Sequence, residues 1–295
     1  MSAMKSLLYM AGWVLLGTCT AVAQTEAAVS AQAVSVDLQT MKCDSRCGQV
    51  LVTCLINGKP MRMMLDTGAT HTVLHKESAA ALPNAQWLDT SKMTFRGNSS
   101  QRPEILMAEL QVGDKHAPQH PIMVISLAAV RSMLAEPIDG ILGMDVLGAM
   151  PFTFDMRSGK CYWGVLAGEP LLPLYGTRDD NGRLMVRVSC AGKSMELLLD
   201  TGSSITRVYA KDWKKGKGKK VDARLGDVDT ATSRKVTTGV AAKMELVPGV
   251  NTATVAPIFC PNDDRSMLGM DALQGVVLVH VPGQSDGFGS FFVTR

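Results

Sequence analysis

The sequence is poor in features that would assign several common functions. Its formal net charge is only +3, too small to imply a nucleic-acid partner. Six lysines, Lys211, Lys214, Lys215, Lys217, Lys219 and Lys220, cluster around glycines and read as a solvated loop. After the first two dozen residues no apolar run approaches the roughly 20 residues of a membrane helix, so no stable membrane insertion is expected. No Gly-x-Ser-x-Gly turn is present, which argues against a serine hydrolase. His71 and His75 are four apart, but Thr72-Val73-Leu74 between them reads as strand and no glutamate adjoins either, so a zinc-protease site is not expected. Cys43 and Cys47 lack a second tight Cys or His pair to complete a zinc site. No metal or other cofactor is therefore expected.

Residues 1–23 hold Lys5, an apolar run from Leu7 to Leu16, and Ala21 and Ala23 before Gln24. This pattern predicts a secretory signal peptide cleaved after Ala23, hence export to the periplasm or the medium. Threonine before Cys19 fits a lipoprotein signal poorly. Six of the seven cysteines follow the signal, Cys43, Cys47, Cys54, Cys161, Cys190 and Cys260, and an even number in an exported chain favours disulfides. Economy of chain reach pairs Cys190 with Cys260 and leaves the other four to the first half.

What the sequence does contain is an internal duplication. Met64-Leu65-Asp66-Thr67-Gly68-Ala69-Thr70 recurs as Leu198-Leu199-Asp200-Thr201-Gly202-Ser203-Ser204 at an offset of 134 (200 − 66). Gly58, Lys59, Met61, Leu65 and Thr72 match Gly192, Lys193, Met195, Leu199 and Thr206 in the same register. A second shared element follows each copy: Ile141-Leu142-Gly143-Met144-Asp145 against Met267-Leu268-Gly269-Met270-Asp271, 77 residues (143 − 66) and 69 residues (269 − 200) beyond the aspartates. Repetition of this length indicates two units of one architecture. The boundaries read as a lead-in over 24–40, a first domain over 41–166, a linker over 167–177, where Gly168, Pro170, Pro173 and Gly176 interrupt the pattern, and a second domain over 178–295.

Short apolar runs broken by Gly, Asn, Asp and Pro make both halves mainly β. Val50 to Ile56, Asn57-Gly58 and Met61 to Leu65 read as a hairpin, with Leu184 to Cys190 and Met195 to Leu199 as its counterpart. Short helices are expected at Lys76 to Ala81, at Leu127 to Leu134, and at the stretches opening at Met144 and Met270. The methionines from Met61 to Met64 read as core.

A single Asp-Thr-Gly is weak evidence, because Asp and Gly are common turn residues. Two copies, each after an apolar strand and each followed by apolar-apolar-Gly, resemble the retropepsin-like aspartic proteases. "LDTGATHTVLHKESAAALP" is similar to the retroviral protease run, and "GILGMDVL" and "MLGMDAL" to the family's second hallmark. The resemblance implies two retropepsin-like domains related by a pseudo-twofold axis in a bilobal, pepsin-like arrangement within one monomer. Asp66 and Asp200 would be the catalytic pair. Gly68 and Gly202 would allow close approach of the turns, Thr67 and Thr201 would send hydroxyls across the axis, and Gly143 and Gly269 would give the loops room to pass. Two carboxylates about 3 Å apart share one proton and can activate a water between them. Such an enzyme hydrolyses polypeptide, including glycoprotein, substrates as an endopeptidase and needs no cofactor. The alternative is a catalytically silent peptide-binding module of the cell envelope. A dimer pairing the halves between chains is the third reading, against which the short linker argues.

Three further readings concern the surroundings of the pair. Thr94 to Arg102 and Asp229 to Thr238 occupy the positions of flaps, though they match the family pattern poorly. Asp145 and Asp271 read as helix N-terminal carboxylates beside the loop backbone. Ser203, whose counterpart is Ala69, is expected to donate its hydroxyl to Asp200 and so favour the charged form there.

Overall fold

The computed structural model describes residues 34–37, 39–43, 47–91, 102–113, 115–134, 136–165, 170–190, 192–209, 220–226, 231–238, 241–260, 266–283 and 289–294, with the backbone alone for 34–47, 209–238 and 259–260. The signal segment, the lysine cluster apart from the backbone of Lys220, and most of the first flap position lie outside these residues. Residues 31–295 cluster as one compact unit. Among the described residues no helix is long and apolar enough to cross a membrane.

The fold is mainly β, in three sheets. The first-half hairpin forms as expected: Cys47–Ile56 pairs with Lys59–Leu65 through Asn57 and Gly58, both at positive φ (48° and 74°), the conformation a two-residue hairpin turn demands. These strands join an eight-stranded sheet with Gly140–Leu142, Val73–His75, Lys115–Ile125 and Glu104–Val112, and a pairing of Glu104–Val112 back onto Cys47–Ile56 closes it on itself. The second-half hairpin, Leu184–Cys190 with Lys193–Leu199, anchors a ten-stranded sheet. The third sheet draws Phe152–Asp155 and Lys160–Trp163 from the first half and Val277–Val281 and Ser290–Thr294 from the second.

Alternation places the core. Leu106, Ala108, Leu110 and Val112 point inward from one strand, and Leu184, Val186, Val188 and Cys190 from another. They join Met61, Met63, Leu65, Phe152, Phe154, Leu278 and Val293 in one continuous apolar cluster spanning both halves. The methionine-rich strand is core, as its sequence suggests.

Several expectations are corrected. The lead-in supplies a strand, Val34–Asp37, paired with Lys160–Trp163, in keeping with its β-branched valines. The expected linker carries two strands: Leu172–Pro173 pairs with Ser290–Thr294 and Gly176–Arg178 with Leu184–Cys190. Helices form at Lys76–Ala80, Ala128–Arg131 and Met144–Leu147, whereas the stretch from Met270 is a series of turns. The larger correction concerns the cysteines. Cys54, Cys161 and Cys190 are free, buried thiols. The Cys190–Cys260 bridge does not form, because their strands lie four spacings apart in sheet order. At about 4.8 Å per spacing that is roughly 19 Å, well beyond the roughly 7 Å limit between bridged Cα atoms. The chain-reach argument ignored the three intervening strands. The side chains of Cys43, Cys47 and Cys260 lie outside the described residues.

Burial pushes the Cys54 thiol up to about 12 and raises Cys161 and Cys190 as well. Thiols held protonated and away from solvent react slowly. In native buffer Cys54, Cys161 and Cys190 should therefore resist iodoacetamide and become alkylated only on unfolding, which peptide mass spectrometry reads directly. Rapid native labelling of all three would contradict this packing.

Candidate active site

Each aspartate leaves the end of a strand that lies parallel to the strand of its apolar-apolar-Gly element. Leu65 stands opposite Leu142 and Leu199 opposite Leu268. The ladder continues one step into each loop: Asp66 N–H donates to Leu142 O and Asp200 N–H to Leu268 O, both at 3.1 Å. The two loops then meet. Thr201 Oγ1 accepts from Thr67 N–H (3.0 Å) and donates to Leu65 O (2.8 Å). Thr67 Oγ1 accepts from Thr201 N–H (3.2 Å) and donates to Leu199 O (2.8 Å). Both threonines are buried. Each hydroxyl thus satisfies one donor and one acceptor of the opposite loop.

The glycines are sterically required. A Cβ on Gly68 would stand 2.7 Å from Asp200 Cγ, and one on Gly202 would stand 2.4 Å from Asp66 Cγ. Each turn therefore lies against the carboxylate of the other copy. Behind them, a Cβ on Gly143 would meet the carbonyl of His71 and one on Gly269 that of Ile205, each at about 2.5 Å. The loops can pass only because both positions lack a side chain.

The two carboxyl groups are half-buried and hydrogen-bonded to each other. Gly68 N–H (2.7 Å) and Ala69 N–H (3.0 Å) donate to Asp66 Oδ1, and Ser203 N–H (3.0 Å) donates to Asp200 Oδ1. Burial and the charge of Asp200 lift the Asp66 carboxyl well above the usual carboxylate range. Burial also raises Asp200, but the proton shared from Asp66 and the nearby Arg207 cation oppose this. These influences favour the shared proton on Asp66 and the charge on Asp200. The Ser203 hydroxyl is not among these influences. The Ser203 hydroxyl donates to Ile205 O (2.9 Å), and its backbone N–H serves Asp200 as Ala69 N–H serves Asp66. The local turn leaves the hydroxyl nearer a carbonyl than the carboxylate.

After the bond from Asp66, Arg207 is the next largest influence lowering Asp200, and sequence reasoning missed it. It occupies the position of Val73 at the repeat offset (207 − 134), a cation where the first copy has an apolar strand residue. Arg207→Val should raise the pH at which Asp200 ionises, moving the acidic limb of any dyad-dependent pH profile up by about one unit. Ser203→Ala should leave that limb in place, and a shift in Ser203→Ala alone would restore the hydroxyl account.

Asp145 and Asp271 buttress the loops. Asp145 accepts from Thr72 N–H (2.9 Å), the Thr72 hydroxyl (2.8 Å) and the His120 ring (3.2 Å). Asp271 accepts from Thr206 N–H (2.8 Å) and its hydroxyl (2.6 Å). Burial would raise Asp145, but the bonds from His120 and Thr72 outweigh it and hold the carboxyl below its ordinary range. Thr72 and Thr206 hydroxyls in turn accept Gly143 N–H and Gly269 N–H, each at 3.2 Å. At the repeat offset the position of His120 is taken by Thr254 (120 + 134). His71 is exposed beside Thr70. His75 is buried, kept neutral by that burial and by neighbouring Arg131, and its Nδ1 accepts Leu127 N–H. The two histidines do not converge, and no group of His, Cys, Asp and Glu suited to a metal occurs among the described residues.

Of the flap positions, the first from 92 to 101 lies outside the described residues. In the second, Ala231–Thr238 forms a hairpin with Lys220–Gly226.

The chain matches no curated protein. A family model described as aspartyl protease matches residues 52–146, a span running from the first strand of the Asp66 hairpin to the helix that carries Asp145. Over that segment the chain is similar to the aspartyl protease family.

Proposed function

We propose that this protein is an exported aspartic endopeptidase in which the halves of one chain form a single pseudo-twofold site with Asp66 and Asp200 as the catalytic pair. The observation that carries the reading is the mutual hydrogen bond of two half-buried carboxyl groups held by reciprocal threonine contacts within one chain. That arrangement keeps one proton on the pair. A water between them gives its proton to Asp200 as it attacks a peptide carbonyl. Asp66 donates to the carbonyl oxygen as it becomes an oxyanion. The roles then reverse, and the leaving nitrogen receives a proton as the C–N bond breaks. The glycines that admit each carboxylate against the opposite turn supply the closeness this exchange requires. The signal-like residues 1–23 support export to the periplasm or medium, where polypeptides and glycoproteins would be the substrates.

Digestion of a diverse peptide library by the purified protein tests the reading. Internal cleavage, blocked by peptides that carry a secondary hydroxyl in place of the scissile amide, is expected. Binding of peptides without any cleavage at any pH would instead support the silent binding module.

A further inference from the structure

Two residues outside both Asp-Thr-Gly motifs reach across to the opposite loops. Arg183 Nη1 donates to Gly68 O at 2.8 Å, and Gln49 Nε2 donates to Gly202 O at 3.2 Å. They are repeat equivalents, since 183 − 49 equals the offset of 134. Each carbonyl belongs to the peptide unit whose N–H, on Ala69 or Ser203, donates to the carboxylate of its own loop. A donor on the oxygen of a peptide draws electron density toward it and strengthens the N–H at the other end as a donor. We propose that Arg183 and Gln49 are positioning residues that act on Asp66 and Asp200 through these single peptide units, and that the cationic member makes the first loop's carboxylate contact the stronger of the two.

Arg183 is built for the task. Asp179 Oδ2 accepts from its Nε (2.9 Å) and Nη2 (2.8 Å). Asp179 Oδ1 is held by the N–H groups of Asn181 (2.9 Å) and Arg183 (3.0 Å). One guanidinium nitrogen is left aimed at Gly68. The position equivalent to Asp179 is Ser45 (179 − 134). Among the described residues, the charged groups around the two loops include the dyad, Arg207, the Arg183–Asp179 pair, and Asp145 with His120 and Asp271 beneath Thr72 and Thr206. Of these, Arg183 meets a loop carbonyl directly, and its charge-assisted bond is stronger than the amide bond of Gln49.

Because the inference rests on the proposed dyad, its test needs a readout that does not require turnover. Titration of the protein labelled with 13C at aspartate Cγ follows the two carboxyl groups by NMR, alongside the pH profile of peptide cleavage. Arg183→Gln should raise the Asp66 midpoint, and with it the alkaline limb, by about half a pH unit while leaving Asp200 in place. Arg183→Lys should recover part of the shift. Gln49→Arg, alone or with Ser45→Asp to recreate the orienting acid, should lower the Asp200 midpoint and the acidic limb and leave Asp66 in place. The Gln49 variants keep the test open if Arg183→Gln fails to fold. Midpoints that stay fixed, or that move together by equal amounts as a diffuse charge effect would move them, overturn the proposal. Selective shifts in a protein that cleaves nothing would uphold the positioning role and refute the protease reading. Cleavage with unmoved midpoints would do the reverse.

Discussion

Asp66→Asn and Asp200→Asn should each lower kcat/KM for peptide hydrolysis by at least about 10³-fold to 10⁴-fold with the fold intact. An amide can neither take the proton of the attacking water nor lend one to the carbonyl and be recharged. The losses should not add in the double variant, since either change already removes the shared proton. The two single variants should differ in another respect. A carboxyl raised in the folded state stabilises the fold fully below its unfolded pKa, and that contribution is lost as pH rises through the folded value. Asp66 is the member raised furthest. Asp66→Asn should therefore gain on the parent as pH rises, by about 1 kcal/mol or 2–4 °C in Tm above neutrality. Circular dichroism melts from acid to alkaline pH measure this. A Tm difference that is flat with pH would mean that Asp66 is not the proton carrier.

The second large effect is structural. Thr201→Val removes one buried hydroxyl that serves two backbone groups, Thr67 N–H and Leu65 O. Valine fills the same space, so the loss is of hydrogen bonds, not volume. Two buried polar groups left unpaired cost about 1–3 kcal/mol each, so a destabilisation of about 2–5 kcal/mol is expected. Thr67→Val should cost a similar amount through Thr201 N–H and Leu199 O. Because the four bonds tie one loop to the other, Thr67→Val/Thr201→Val should cost less than the sum of the singles. Denaturant unfolding of the three variants gives the coupling. Serine at either position keeps the hydroxyl and should recover most of the stability. If valine and serine behave alike, the threonines act by packing alone.

How much of this was legible in the sequence depended on whether a residue's role lies in its own strand or across the chain. The aspartates, threonines and four glycines were legible because their chemistry is confined to short motifs that appear twice. Asn57-Gly58 was legible for the same reason, since the turn type is written in two adjacent residues. The cysteines were not. Proximity of Cys190 to Cys260 along the chain says nothing of the three strands interposed between theirs, and such non-local pairing has no sequence period. The turns after Met270 show the opposite error. "MDAL" looks like "MDVL", yet only Met144–Leu147 closes into a helix. Ser203 was misread because a hydroxyl near a carboxylate was assigned to it without asking which nearer carbonyl would accept it. Arg207, Arg183 and Gln49 went unseen although the offset of 134 marks them, because only identities between the copies were compared. Differences at equivalent positions, valine against arginine and glutamine against arginine, are where the two halves of the site diverge.

The pH dependence of kcat/KM on a peptide identified from the library tests the shared-proton pair most directly. The account predicts a bell with a slope of one proton on each limb, the acidic limb rising as Asp200 ionises and the alkaline limb falling as Asp66 loses its proton, and no bell in Asp66→Asn. A profile that rises to a plateau with no alkaline limb assignable to Asp66, or a bell that survives in Asp66→Asn, would contradict it.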